Sequence, residues 1–277
     1  MKNILLPIDF SDASLNASNY AVSVAHAFDA KLTLINVIEP PILVDDSILA
    51  PIMVTQAEII EENSRHISQE IESLSKIYPV NMDAFVREGF TSETIGDLAT
   101  EISADLIVMG MKGKGQSRSF FGSTVTKITR HLSYPVLIVP ATASFQLPAT
   151  IAVASDFDPD FESKQYHLLI ELARKFNSRF RIVNVAVKGR QMKPSQAIGK
   201  MKTSRAFAQF ATEFHTIREG KVDEGLENFL EDYNPDLLVM IAREHSFIDR
   251  LFGKIHTKEM SYKTRKPLLI LPGKINI

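Results

Sequence analysis

The sequence has no cysteine in 277 residues. That absence excludes a disulfide framework, a thiol nucleophile and a thiolate metal centre. Long apolar runs are missing too: none approaches the ~18 residues of a membrane span, so no membrane partner is expected. No sign of charge dominates. With 31 Lys and Arg against 33 Asp and Glu the formal net charge is −2, which offers no support for a nucleic-acid partner or an acidic membrane surface. The seven histidines, His26, His66, His131, His167, His215, His245 and His256, are scattered. None forms an i,i+4 pair or a His-Glu-x-x-His run, so no metal site is expected. There is no Gly-x-Ser-x-Gly elbow, which leaves hydrolase chemistry without support. The opening MKNILLPIDF has no signal-peptide layout and runs directly into a strand, so a cytoplasmic protein is expected.

What is present is organised around Asp105 to Pro140. Leu106-Ile107-Val108-Met109 is a short continuous apolar run, as in a strand buried on both faces. Gly110, Gly113 and Gly115 follow, and they let the backbone approach a ligand closely. Gly122-Ser123-Thr124 then opens a helix, whose free N–H groups and partial positive charge suit a phosphate. Pro135 blocks continuation of that helix, and Val136 to Val139 forms a second buried strand. The arrangement predicts a phosphate cradle at the carboxyl end of a parallel sheet. A P-loop is rejected because Gln116 stands where its lysine is needed, and a dinucleotide fingerprint because Arg118 replaces its third glycine.

Upstream, apolar strands alternate with helical patterns. Ile4–Ile8 ends at Asp9, and Ser11 or Asp12 caps a helix whose apolar face carries Ala17, Tyr20, Ala21, Val24, Ala25 and Phe28. Asp9 itself is a second candidate for that cap. Strands follow at Leu32–Ile38 and Met82–Arg87, with helices near Gln56–Tyr78 and Ser92–Ile102. The apolar loop from Pro40 to Val54 is either a lid or a partner-binding segment. This alternation implies a mostly parallel sheet covered on both faces.

The pattern then repeats in order. Ile151–Phe157 echoes Leu5–Phe10, Arg181–Val185 echoes Leu34–Val37, Arg218-Glu219-Gly220 echoes Arg87-Glu88-Gly89, Asp236–Met240 echoes Asp105–Met109, and Lys266–Pro272 echoes Tyr134–Pro140. Two copies of one α/β unit are therefore expected, 1–142 and 149–277. They differ where a ligand would sit: Gly110 aligns with Ile241, Gly113 with Glu244, Gly122 with Gly253 and Ser123 with Lys254. The first copy reads as the binding half and the second as a degenerate one. The basic residues Lys188, Arg190, Lys193, Lys200, Lys202 and Arg205 read as an anion-binding patch or, in preference, a solvated face.

The whole chain resembles a tandem universal stress protein. In the ATP-binding branch of that family the signature is Gly-x2-Gly-x9-Gly-(Ser/Thr). Gly110, Gly113, Gly122 and Ser123 follow it here with eight residues rather than nine in the long gap, and Lys112 stands where His is frequent. The resemblance implies two Rossmann-like domains, each a five-stranded parallel sheet with helices on both faces. It implies that Val136–Val139 and Leu268–Leu271 pair as an internal pseudo-dimer, with a further homodimer possible. It also implies ATP, possibly with Mg2+, as ligand. Asp9 would meet the ribose or adenine edge and Val37 the adenine. Gly110, Lys112 and Gly113 would hold the phosphates, and Gly122, Ser123 and Thr124 the terminal ones. Pro7, Ile8 and Met109 complete the expected set. The expected function is a nucleotide-binding stress-response sensor or regulator with an unidentified protein partner. An interaction scaffold without nucleotide, and a weak ATPase or phosphotransferase, remain as alternatives.

Overall fold

A computed structural model of the chain describes residues 1–40, 56–111, 123–131, 134–160, 163–187, 193–219, 222–242 and 266–273. The first half runs β1 (Asn3–Pro7), α1 (Asp12–Phe28), β2 (Lys31–Ile38), α2 (Gln56–Ser75), β3 (Met82–Glu88), α3 (Thr91–Glu101), β4 (Leu106–Met111), α4 (Ser123–His131) and β5 (Val136–Pro140). The second half runs β6 (Thr150–Ala154), a 3-10 turn (Ser163–Tyr166), α5 (His167–Phe176), β7 (Arg179–Val187), α6 (Pro194–Ala206), β8 (Thr212–Glu219), α7 (Val222–Tyr233), β9 (Leu237–Ala242) and β10 (Leu268–Pro272). The Pro40–Val54 loop, apart from Pro40, lies outside the described residues, as do Lys112, Gly113, Gly115, Gly122, Glu244, Gly253 and Lys254.

Local signals set these boundaries. Ser11 caps α1, its hydroxyl accepting from the Ser14 N–H. Asp29 ends that helix in the left-handed conformation, and Asn177 ends α5 in the same way. Each copy also carries an aspartate just before its fourth strand. The Asp105 carboxylate accepts from the backbone N–H groups of Lys2 and Asn3, and Asp236 accepts from that of Thr150. These bonds fasten the start of β1 beside β4 and the start of β6 beside β9.

Among the described residues the strands form one ten-stranded sheet in the order β3-β2-β1-β4-β5-β10-β9-β6-β7-β8. All pairs within each half are parallel. The halves meet at β5 and β10, which pair antiparallel with Leu268 opposite Ile138, Leu269 opposite Leu137 and Ile270 opposite Val136. The expected five-stranded sheets are thus fused edge to edge. Alternation along the strands sends Ile4 and Leu6 to one face and Leu5 to the other. One core gathers side chains from α1, α2 and α5, the other from α3, α4 and α7, and each runs through both halves.

The linker is held to the first of these faces. The Asn16 side-chain amide donates to the carbonyls of Pro140 (2.8 Å) and Ala143 (2.9 Å). Phe145 stands edge-on between Tyr20 of α1 and Phe176 of α5, with ring centroids 5.1 Å and 6.3 Å away. Burial, helped by the negative charge of Asp236, pushes the Tyr20 phenol well above its ordinary pKa.

The seam carries a stability test. Leu269 is buried against both halves, so Leu269→Ala should lower unfolding free energy by about 2–5 kcal/mol, read from urea denaturation. A loss under about 0.5 kcal/mol would mean that the seam is loosely packed.

Candidate functional site

In an open α/β sheet the crevice opens where neighbouring strands send their crossovers to opposite faces, at the carboxyl ends of the strands. Here that point lies between β1 and β4. A cavity of about 430 Å³ occupies it. Its lining brings together Pro7 at the end of β1 with Ile8 and Asp9 just after it, Val37 on β2, Met109 and Gly110 on β4, and Thr124 in the first turn of α4. Seven of the eleven residues named from the sequence thus share one cavity. Ser123 opens α4, and Lys112, Gly113 and Gly122 lie outside the described residues.

The turn from β1 into α1 is built by Asp9. Its Oδ1 accepts from the Ser11 N–H (3.1 Å) and the Ser11 hydroxyl (2.5 Å). This side chain–backbone turn carries the chain through Phe10, which sits at φ 58°. Asp9 therefore shapes the turn, while Ser11 is the cap. The second copy keeps the left-handed residue, with Phe157 at φ 56° after Asp156, and there the Phe157 N–H donates to the Ser155 hydroxyl. A bulky residue in the left-handed region costs about 1–2 kcal/mol. The Phe10 ring is held edge-on against His66 of α2 at 5.4 Å.

Gly110 has a packing reason of its own. A Cβ there would lie 2.3 Å from the Ala13 carbonyl oxygen and 2.9 Å from the Ser14 nitrogen. Only a residue without a side chain lets the N-terminus of α1 close on β4. The second copy shows the converse. Where Ile241 replaces Gly110, the α-helix starts eleven residues after Asp156, behind a 3-10 turn, rather than three after Asp9.

Other lining residues were not named as site residues from the sequence: Ser14, Asn36, Glu39, Thr91 and Ile95, and Ser11, which was read only as a cap. Asn36 is buried within an apolar strand. Its amide donates to the Ile8 carbonyl (2.8 Å), and its oxygen accepts from Asn63 of α2 (3.0 Å). Asn184 repeats the first contact, to the Ser155 carbonyl at 2.7 Å. A buried amide repeated at matching positions of both copies was the available signal. Glu39 is exposed at the rim. Hydrogen bonds from the Thr91 hydroxyl and N–H, with a contribution from Lys127, hold its carboxyl below the usual glutamate range.

In the second copy α6 rests on the corresponding turn. A Cβ on Gly199 would lie 2.0 Å from the Phe157 carbonyl oxygen. The Gln196 amide donates to the Asp156 carbonyl (3.0 Å), and the Lys202 ammonium donates to that of Pro159 (2.5 Å). The Lys200 ammonium lies 5.9 Å from the Phe157 ring centre. Two members of the basic run, expected on a solvated face, thus tie helix to loop. A second cavity of about 570 Å³ lies at β8 and α7. There the Arg181 guanidinium sits 4.4 Å from the centre of the Tyr233 ring. Among the described residues no group of His, Asp and Glu is placed to hold a metal, and no helix is long and apolar enough to cross a membrane.

A doubly wound sheet present twice, with its crevice at the β1/β4 switch point, defines a tandem Rossmann-like α/β protein. The model of the universal stress protein family matches residues 1–140 and again 149–272. The chain therefore belongs to the universal stress protein family, in its tandem form. A universal stress protein of Methanocaldococcus jannaschii is 30% identical over 147 residues, 50% of this chain and 81% of that one. One from Mycolicibacterium smegmatis is 29% identical over 182 residues, 62% of this chain and 60% of that one. The crystal structure of a universal stress protein from Archaeoglobus fulgidus superposes with a TM-score of 0.70 at 16% identity, covering 98% of each chain, which shows the fold.

Gly110→Ala tests the packing at the cavity wall. The new methyl must push α1 back, so a loss of about 1–3 kcal/mol is expected in chemical denaturation. An unchanged midpoint would show that α1 yields freely.

Proposed function

We propose that the chain is a cytoplasmic stress-response regulator that binds ATP in the crevice of its first domain, residues 1–142. In this reading residues 149–277 form a scaffold domain, and the bound nucleotide sets what the protein engages. The observation that carries the reading is the composition of the 430 Å³ cavity. Its lining includes apolar side chains, Ile35, Val37, Ile95 and Met109, suited to a planar base. It also includes the first turn of α4, at Thr124 and Val125. Unpaired N–H groups and the helix dipole favour phosphate at such a turn. Mg2+ would accompany the phosphates and reduce their mutual repulsion.

A regulatory role fits this lining better than a catalytic one. Among the described residues the acidic groups that line the cavity are Asp9 and Glu39. Asp9 is engaged in the turn before α1 and Glu39 at Thr91, so neither is presented as a general base.

Calorimetry with MgATP on the full chain tests the proposal. About one ATP per chain should bind. Thr124→Glu, which puts a negative charge at the helix start, should weaken binding by at least about tenfold, or ~1.4 kcal/mol, with an unchanged thermal melt. A wild type that binds no nucleotide would sink the reading and favour an interaction scaffold.

A further inference from the structure

The cavity has a polarity that its glycines and helix starts do not explain. Three helices, α1, α3 and α4, begin at its rim, at Ser11, at Thr91 and at Thr124. All three are N-termini and would attract an anion. The α1 start is served by its own cap, the Ser11 hydroxyl accepting from the Ser14 N–H, and carries the negative Asp12 in its first turn. The α3 start is already served by the chain itself, because Glu39 accepts from the Thr91 N–H and hydroxyl. A phosphate brought there would meet a fixed carboxylate and be repelled. The phosphate end of any ligand is thereby directed to α4. That leaves the question of what the Glu39 carboxylate faces.

We infer that Glu39, positioned by Thr91, is a specificity residue that accepts hydrogen bonds from the sugar hydroxyls of the bound nucleotide and so selects ribonucleotides over deoxyribonucleotides. The inference rests on the nucleotide reading of the cavity. Three observations support it. Glu39 follows directly on β2, the strand next to β1, and lines the cavity two residues beyond Val37. In dinucleotide-binding doubly wound sheets an acidic side chain after the second strand holds the ribose 2′-hydroxyl, and Glu39 occupies the same place after β2. Second, Glu39 is exposed at the rim while Ile35 and Ile95 are buried beneath it. The apolar floor suits the base, and the wet carboxylate suits the hydroxyls, which keep one side in water. Third, the ends of β2 and β4 are separated by β1. Two strand spacings, about 10 Å, part the β2 end that carries Glu39 from the β4 end that leads toward α4.

Bonds from Thr91 also keep the acceptor ionised. The lowered pKa of Glu39 means that the carboxylate persists as pH falls to its ordinary value, and is lost only below it. Ribose preference should follow the same course. Removing the Thr91 hydroxyl raises the pKa and moves the loss to higher pH.

The experiment is calorimetry of the full chain with ATP, 2′-deoxyATP and 3′-deoxyATP. Wild type should bind ATP at least about tenfold more tightly than one or both deoxy analogues, the low end for a hydrogen bond to a charged group. Glu39→Ala should bring the ratios close to one, mainly by weakening ATP, with deoxyATP bound as well as before or better. Thr91→Val should lose the preference at higher pH than wild type, and Thr91→Ser should restore the wild-type profile. Equal binding of all three nucleotides by wild type, or a preference that survives Glu39→Ala, overturns this inference and leaves nucleotide binding standing. No binding of any of them overturns both.

Discussion

The antiparallel pairing of β5 with β10 is the constraint on which the rest of the architecture depends. Both strands are buried along their whole length, and each would otherwise be the bare edge of a parallel half-sheet. An apolar edge of that kind invites pairing with another chain. Fusing the two edges removes both at once and makes two small cores continuous. It also places the crevice of the first half inboard, walled by helices whose other faces are committed to the core. The geometry of the site is therefore as firm as the packing behind it.

Much of this was legible in the sequence, because parallel strands buried on both faces leave apolar runs that few other structures produce. The runs at Leu106–Met109 and Val136–Val139 were read as strands and are strands. The ordered echoes between the halves were visible for the same reason. The seam itself came from family resemblance rather than from periodicity, since a run of Val and Leu does not state which neighbour it pairs with. Several lining positions were legible as well, because they follow strands or open a helix.

The remainder depends on contacts that one-dimensional patterns do not carry. Gly110 reads as a ligand-facing glycine, yet its lack of a Cβ is also required by α1, 97 residues earlier at Ala13. Asn36 looks like a polar interruption of β2 until Asn63 and the Ile8 carbonyl are seen around it. Glu39 and Thr91 are 52 residues apart. In the second copy, the turn at Phe157 and helix α6 meet through Gly199, a residue that reads simply as a poor helix former. The copies differ in where a missing Cβ lets a helix close on the strand ends: at Gly110 for α1 in the first, and at Gly199 for α6 in the second.

The seam also has a consequence in time. β5 is complete by residue 140, but its partner begins only at Leu268. At translation rates of about 5–20 residues per second, the first domain emerges and folds with an open β5 edge for roughly ten seconds. During that interval the correct partner does not yet exist, while β5 edges of neighbouring nascent chains do. Two-fold pairing of such edges would mimic the intramolecular seam closely, and β10 must then displace it. The linker contacts from Asn16 and Phe145 hold the growing chain against the finished domain. They keep the late strand near its place and favour the intramolecular outcome over the one between chains.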